Sequence, residues 1–293
     1  MTIFWALLAA LCNALNVIAQ HLGSLASAKE SKGWRFVVAL LRNPMWLAGW
    51  CALAGGFVFQ ALALHVGQLS VVQPLLVTEL VFALVLRRLW LRQSIRGVTW
   101  WAAALTCVSL SVFLAMSEPE GGTTYPDSSA WATGAWGAVG LAAILALLGM
   151  RGPVVRRTVL LASSAAVMWA LVAVLVKTMT DTLTEFGVGG MFAHWPVYAL
   201  AAAGLGVEVV HQATLRVGPL SVSQPLLVIV NPIVSIALSV WIFQEHFTAD
   251  ATRLAIGAVA FAAMCVSVVM LTRTAPSTMS AHSAPETSPA TEA

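Results

Sequence analysis

The sequence predicts an all-α integral membrane protein of about nine transmembrane helices. They form two inverted-topology repeats, four helices then five, with the N-terminus outside and the C-terminus cytoplasmic. Three observations predict this: a composition too apolar for water, a strict alternation of basic connections, and one segment written twice. Of 293 residues, 59% are hydrophobic and 9% charged, against about 25% charged in a soluble domain. Such a chain belongs in a bilayer, and the expected location is the plasma membrane, crossed many times.

A helix crossing ~30 Å of hydrocarbon needs about 20 apolar residues. Nine stretches meet this: 2–20, 44–64, 69–90, 98–116, 131–149, 157–177, 191–214, 219–243 and 252–272. The connections after the first, third, fifth and seventh spans hold Lys29, Lys32, Arg35, Arg42, Arg87, Arg88, Arg92, Arg96, Arg151, Arg156, Arg157 and Arg216; Arg273 follows the ninth. That puts 13 of 15 basic residues on one face, which the positive-inside rule makes cytoplasmic. The other face takes Glu118, Glu120, Asp127, Asp181, Glu185, Glu245 and Asp250.

The duplicated segment carries Val-Gly, Leu-Ser-Val and Gln-Pro-Leu-Leu-Val twice, at 62–77 and 213–228, at a constant offset of 151 residues. Gly67 and Gly218 supply a tight turn, where a missing Cβ removes strain. Each copy reads as a helical hairpin. The first begins with an even-numbered span and the second with an odd one, so the copies run in opposite directions, as in secondary transporters with a site between two halves. The same offset pairs the first span with the sixth and the fourth with the ninth, leaving the fifth alone. The expected units are therefore 1–116, 117–273 and a tail, 274–293, too poor in apolar residues to fold. Segment 21–43 holds a run, Phe36 to Leu41, too short to span, and is expected at the inner surface.

Cys12, Cys51, Cys107 and Cys265 all lie in apolar runs and read as small buried apolar residues, not as disulfides or a metal set. Met1 to Trp5 enter an apolar run with no basic leader, so no signal peptide is expected. Phosphate-loop, H-E-x-x-H and G-x-S-x-G patterns are absent from the sequence, which argues against an enzyme and against a cofactor. The basic connections read as topology signals and lipid contacts, not a nucleic-acid surface.

Ionisable and amide groups inside spans are costly and mark cavities or partners. Glu79 falls about ten residues into the third span, near the midplane, and suits a proton or cation site; its other reading is a packing hydrogen bond. Glu208, His211 and Gln212 share one helix face at i, i+3 and i+4, as a relay or as an interfacial patch above Arg216. Asn13, Asn16 and Gln20 share a face of the first span, as path lining or as helix glue. Gln60, Gln73, Gln224 and Asn231 complete the candidate lining. Pro232 is expected to kink the eighth span, and Gly134, Gly137 and Gly140 to let the fifth pack closely. The copies differ in their acids: Glu79 matches Val230, and Glu208 matches Phe57. One asymmetric site would explain this.

The Ser-Val-x-Gln-Pro-Leu-Leu-Val segment, Asn231-Pro232 and the run Trp241-Ile242-Phe243-Gln244-Glu245 resemble the EamA-like permeases of the drug/metabolite transporter superfamily. Leu7 to Gln20, followed by Asn43-Pro44-Met45-Trp46, looks like its NIPA-type branch, which is associated with magnesium transport. The resemblance covers about 2–273. Typical members have ten helices and two cytoplasmic ends; nine spans and an outside N-terminus depart from that. Near Gln93, the first-half position matching Gln244-Glu245, no acid stands, so the acidic ending is not carried over there.

Three functions fit. One is a proton-coupled secondary transporter of a small solute, working by alternating access as a monomer or homodimer. The second is a magnesium or other divalent-cation permease. The third is a non-transporting membrane partner or a translocator of lipid-linked sugars.

Overall fold

The computed structural model describes residues 1–28, 42–90, 92, 94–117, 119–123, 126–218 and 220–274. They form ten helices and one short ribbon: α1 Thr2–Ala28, α2 Pro44–His65, α3 Leu69–Leu76, α4 Glu79–Trp90, α5 Gly97–Ser117, β1 Pro119–Gly121, α6 Ser128–Gly149, α7 Val154–Met191, α8 Pro196–Val217, α9 Leu220–Ile242, β2 Glu245–Phe247 and α10 Ala251–Thr274. Eight stretches are long and apolar enough to cross a membrane, α3 and α4 counting as one. The ninth expected span is the 22-residue α8, which Glu208, His211 and Arg216 make less apolar than the rest. The chain is a multi-pass membrane protein of nearly all-helical build.

The burial pattern is what a lipid solvent demands. Trp101, Trp136, Leu205, Val209 and Val259 are each more than two-thirds exposed, and hydrocarbon is the solvent that such a surface suits. Between helices the contacts are small residues, because lipid offers no hydrophobic drive and close approach must replace it. α1 lays Ala6, Ala9, Ala10 and Ala14, all buried, against α2. Gly49 of α2 meets Gln20, and Gly56 meets Asn13. α5 and α10 are joined by the Thr106–Ser267 hydroxyl pair at 2.8 Å. α7 is the spine: Ala162, Ala165, Ala166, Ala170 and every residue from Leu171 to Val176 are buried.

The contacts sort the connections onto two ends. At one end Thr2 Oγ1 donates to Val66 O at 3.0 Å, and β1 pairs antiparallel with β2, Glu120 opposite His246. At the other end Thr99 Oγ1 donates to Thr274 O at 3.3 Å, Arg157 Nε donates to Gly149 O at 3.3 Å, and Gly218 abuts Thr158. On α7, Thr158 and Lys177 are 19 residues apart, ~28 Å of helix and close to one hydrocarbon thickness.

Several expectations need correction. α1 continues to Ala28, so 21–28 is helix; 29–41 and the tail 275–293 lie outside the described residues. The third span breaks at Val77–Thr78. Pro74 has no N–H, the bonds tighten to i→i+3 (Val77 N to Pro74 O, Thr78 N to Leu75 O, both 3.1 Å), and Thr78 Oγ1 donates to Leu75 O. α7 runs past 177 to Met191, interrupted only at Gly187, whose φ of 68° is left-handed. α9 passes through both Pro225 and Pro232 as one helix. Of the three α6 glycines only Gly134 makes a close approach, to Ile242 and Trp241; Gly137 and Gly140 face open space. Cys51 and Cys107 are exposed on the apolar surface rather than buried.

Candidate functional site

A cavity of about 280 Å³ lies between α1, α2, the α3–α4 break, α7, α8 and α9. Its polar lining is Asn13, Gln60, Gln73, Glu79, His211, Gln224 and Asn231, and Phe57 and Trp169 supply aromatic walls. Local structure explains the convergence. The break at Val77–Thr78 ends α3 after Gln73 and starts α4 on Glu79, so both side chains reach one space. Pro232, with no N–H, frees a carbonyl one turn earlier in α9, beside Asn231.

The hydrogen bonds are incomplete in a telling way. Asn13 donates to the Glu79 carboxylate. Asn231 Nδ2 donates to Gln73 Oε1 at 3.5 Å, and Ser235 Oγ to Asn231 Oδ1 at 3.2 Å. Gln73 is 2% exposed, yet its Nε2 has no partner among the described residues, and neither has His211 Nε2. Leaving a buried donor unmade costs about 1–3 kcal/mol, so these two groups read as held ready for something that enters. The lining contains one carboxylate and neither Lys nor Arg.

Four of the singled-out residues lie elsewhere. Gln20 Nε2 donates to Asn16 Oδ1 at 2.7 Å within α1, where Gln20 packs on Gly49 of α2. Gln212 Nε2 donates to Glu208 Oε1 at 2.6 Å on an exposed face. That pair borders a separate surface recess with Arg216, while His211 turns into the cavity. The i, i+3, i+4 face is thus divided between two places. Among the described residues no three of His, Cys, Asp and Glu gather into a metal-binding group; a cation here would rely on Glu79 with amide oxygens.

A second constellation lies one helical turn along α3 and α7 from the cavity lining. Glu245 Oε1 accepts from Leu69 N at 2.8 Å and from Lys177 Nζ at 2.9 Å; its Oε2 accepts from Ser70 N at 3.1 Å and Ser70 Oγ at 2.7 Å. The carboxylate therefore caps the N-terminus of α3, where free N–H groups and the helix dipole favour an anion. Lys177 Nζ also sits 4.5 Å over the Phe243 ring. Glu245 is 2% exposed, Ser70 1%, Leu69 0% and Lys177 9%. Burial by itself would raise the Glu245 carboxyl; the Lys177 charge and the hydrogen bonds outweigh it and hold the group below the usual carboxylate range. Gln244 aims it inward by taking a left-handed φ of 56°, a strain of roughly 1–2 kcal/mol for a residue with a Cβ.

Sequence reasoning noted Glu245 as one of the acids of the outer face and as part of a motif, and passed over Lys177, Ser70 and Trp169 as site residues. A signal existed. Lys177 and Arg253 are the two basic residues that break the charge partition. Arg253 lies 4.0 Å from Asp250 in an exposed pair, which leaves Lys177 as the buried exception.

Similarity to known proteins is narrow. No family model matches the chain, and no solved structure matches it. The chain is 28% identical over 285 residues to an uncharacterised protein of Corynebacterium glutamicum, covering 97% of this chain and 98% of that relative. The similarity runs end to end, and the relative's printed name adds no activity.

Proposed function

We propose that the protein is a secondary transporter that moves a small polar solute, neutral or cationic, through the cavity by alternating access. The carrying observation is the cavity itself: a polar chamber inside a lipid-facing bundle, with one acid and two unpartnered buried nitrogens. Water-excluding cavities with a few convergent polar groups are where ligands bind, and polar groups at membrane depth are retained for function.

The inverted-repeat reading supports this. The two turn glycines stand at opposite ends of the bundle. Each presses on a threonine near the start of the helix that precedes its hairpin, Gly67 on Thr2 and Gly218 on Thr158. α1 and α2 then correspond to α7 and α8, and the cavity lies between the halves, as expected for a drug/metabolite type of permease. Glu79 is the group that would carry the coupling proton or meet a cationic solute. Phosphate-bearing and carboxylate solutes find neither Lys nor Arg there and would face Glu79, which counts against lipid-linked phosphosugars. Gln73 Nε2 offers a donor to the chamber, and a donor repels a metal ion, so an organic solute with an acceptor fits better than magnesium.

The test uses purified protein in liposomes carrying an internal pH dye and, separately, a magnesium dye. Neutral and cationic metabolites should trigger proton movement that Glu79→Gln abolishes. Full, still pH-dependent transport by Glu79→Gln would remove its role. Magnesium uptake with no organic response would replace the reading with the cation permease.

A further inference from the structure

We propose that the Glu245–Lys177 pair is the latch that closes the cavity at the end carrying the 66–68 turn, and that Asp181 is the seat Lys177 takes when the latch opens. This rests on the transport reading for its purpose, but not for its test.

The latch sits one helical turn from the cavity on two helices at once. On α3, Ser70 precedes Gln73 by three residues; on α7, Lys177 follows the cavity-lining Ala173 by four. Glu245 ties these helices together by four contacts of 2.7–3.1 Å. Its own anchor is the β1–β2 ribbon, where it pairs with Gly121. Leu69 and Phe243 beside the pair are both 0% exposed.

α3 is only eight residues long and is already uncoupled from α4 at Val77–Thr78. Releasing its N-terminus would let it swing as a unit, carrying Gln73 with it. Broken helices form the central site of many transporters, so a movement of α3 would act on the site directly.

Asp181 supplies the alternative partner. It lies one turn beyond Lys177 on the same face of α7, within electrostatic reach of Lys177 and of His65 at the end of α2. Its Oδ2 is buried and has no hydrogen-bond partner among the described residues. A buried carboxylate oxygen left empty one turn from a lysine that is fully engaged elsewhere is the arrangement a charge exchange needs. In the closed state Lys177 holds Glu245; in the open state it pairs with Asp181, and Glu245 leaves the α3 N-terminus for the water that the opening admits.

The test needs no solute. In a background with Cys12, Cys51, Cys107 and Cys265 replaced by serine, Leu227→Cys places a reporter in the cavity lining. A membrane-impermeant maleimide is added separately to each face. The parent should be protected from the 66–68 face. Glu245→Gln should raise labelling from that face alone, by about tenfold or more if the open state is normally a minor population, and Ser70→Ala, a milder change, should raise it less. Adding Asp181→Asn to Glu245→Gln should bring the rate back down. Unchanged labelling in Glu245→Gln, or an equal rise from both faces, overturns the latch. An unaltered rate on adding Asp181→Asn overturns the second seat. If Glu245→Gln opens the cavity while no variant moves any solute, the latch stands and the transport reading falls. If solute moves and both labelling and transport ignore Glu245→Gln, the reverse holds.

Discussion

Glu245 and Lys177 show how much one buried residue depends on its partner. Two desolvated charges are worth keeping only together, and removing one of such a pair costs about 3–5 kcal/mol because the other is stranded. Lys177→Met alone should therefore lower the thermal unfolding midpoint in detergent steeply. Lys177→Met combined with Glu245→Gln should recover most of that loss, since no charge is then stranded, the amide oxygen still accepts from Leu69 N and the amide nitrogen can donate to Ser70 Oγ. A double variant as unstable as the single would disprove the coupling. The acid side follows from the depressed Glu245 carboxyl. A group whose folded value lies below its unfolded one stabilises above the unfolded value, about 4.3 for Glu, and loses that contribution as pH falls through the folded value. Stability should thus decline below about pH 4, and Glu245→Gln should flatten that decline. The sequence could show Lys177 as an exception to the charge partition, but the partner lies 68 residues away, and no local pattern connects them. Glu79, by contrast, was legible, because a lone acid deep in an apolar run needs no partner to be noticed.

At the scale of elements, small residues decide which helices can touch. Gly56 faces Asn13 so closely that an added Cβ would sit 2.5 Å from Oδ1. Gly56→Leu should push α1 off α2 and displace Asn13 from Glu79, lowering the midpoint and, in the same preparation, cavity-dependent transport. Gly137→Leu, facing open space, should change neither, and equal damage from both would show that the contact does not matter. Helix existence was plain in the sequence because a lipid-crossing helix must satisfy its own backbone and be apolar along its length. Helix ends were not. α1 and α7 both run beyond their apolar stretches, since a helix continues into water at little cost while its residues allow. The break inside 69–90 was hidden for the opposite reason: hydropathy stays high across Val77–Thr78, and only the loss of the Pro74 N–H marks it. The polar residues sorted by rotation about the helix, a few tens of degrees that spacing alone does not fix. His211 faces inward and Glu208 and Gln212 outward, although all three fall within one turn.

For the whole molecule, the two-ended sorting of connections makes the orientation testable. Single cysteines at Asp127 and at Arg273, in the cysteine-free background, should label from opposite faces of intact cells, the first from outside. Labelling of both from one face would reject the topology. The length of α7 adds a constraint of its own. From Val154 to Phe186 it runs without interruption, roughly 50 Å of helix in ~30 Å of hydrocarbon. Its buried stretch ends near Thr180, and residues 184–189 are exposed. Lys177 lies ~28 Å along the helix from Thr158, about one hydrocarbon thickness, with Asp181 a further turn out. A charge carried through the full membrane gains about 2.3 kcal/mol per 100 mV. A step of about 5.4 Å at the boundary collects less than a fifth of that even at its upper limit. Exchange of Lys177 between its two acids is thus nearly blind to the membrane voltage, whereas a proton delivered to Glu79, deep between the halves, must cross a real share of the field.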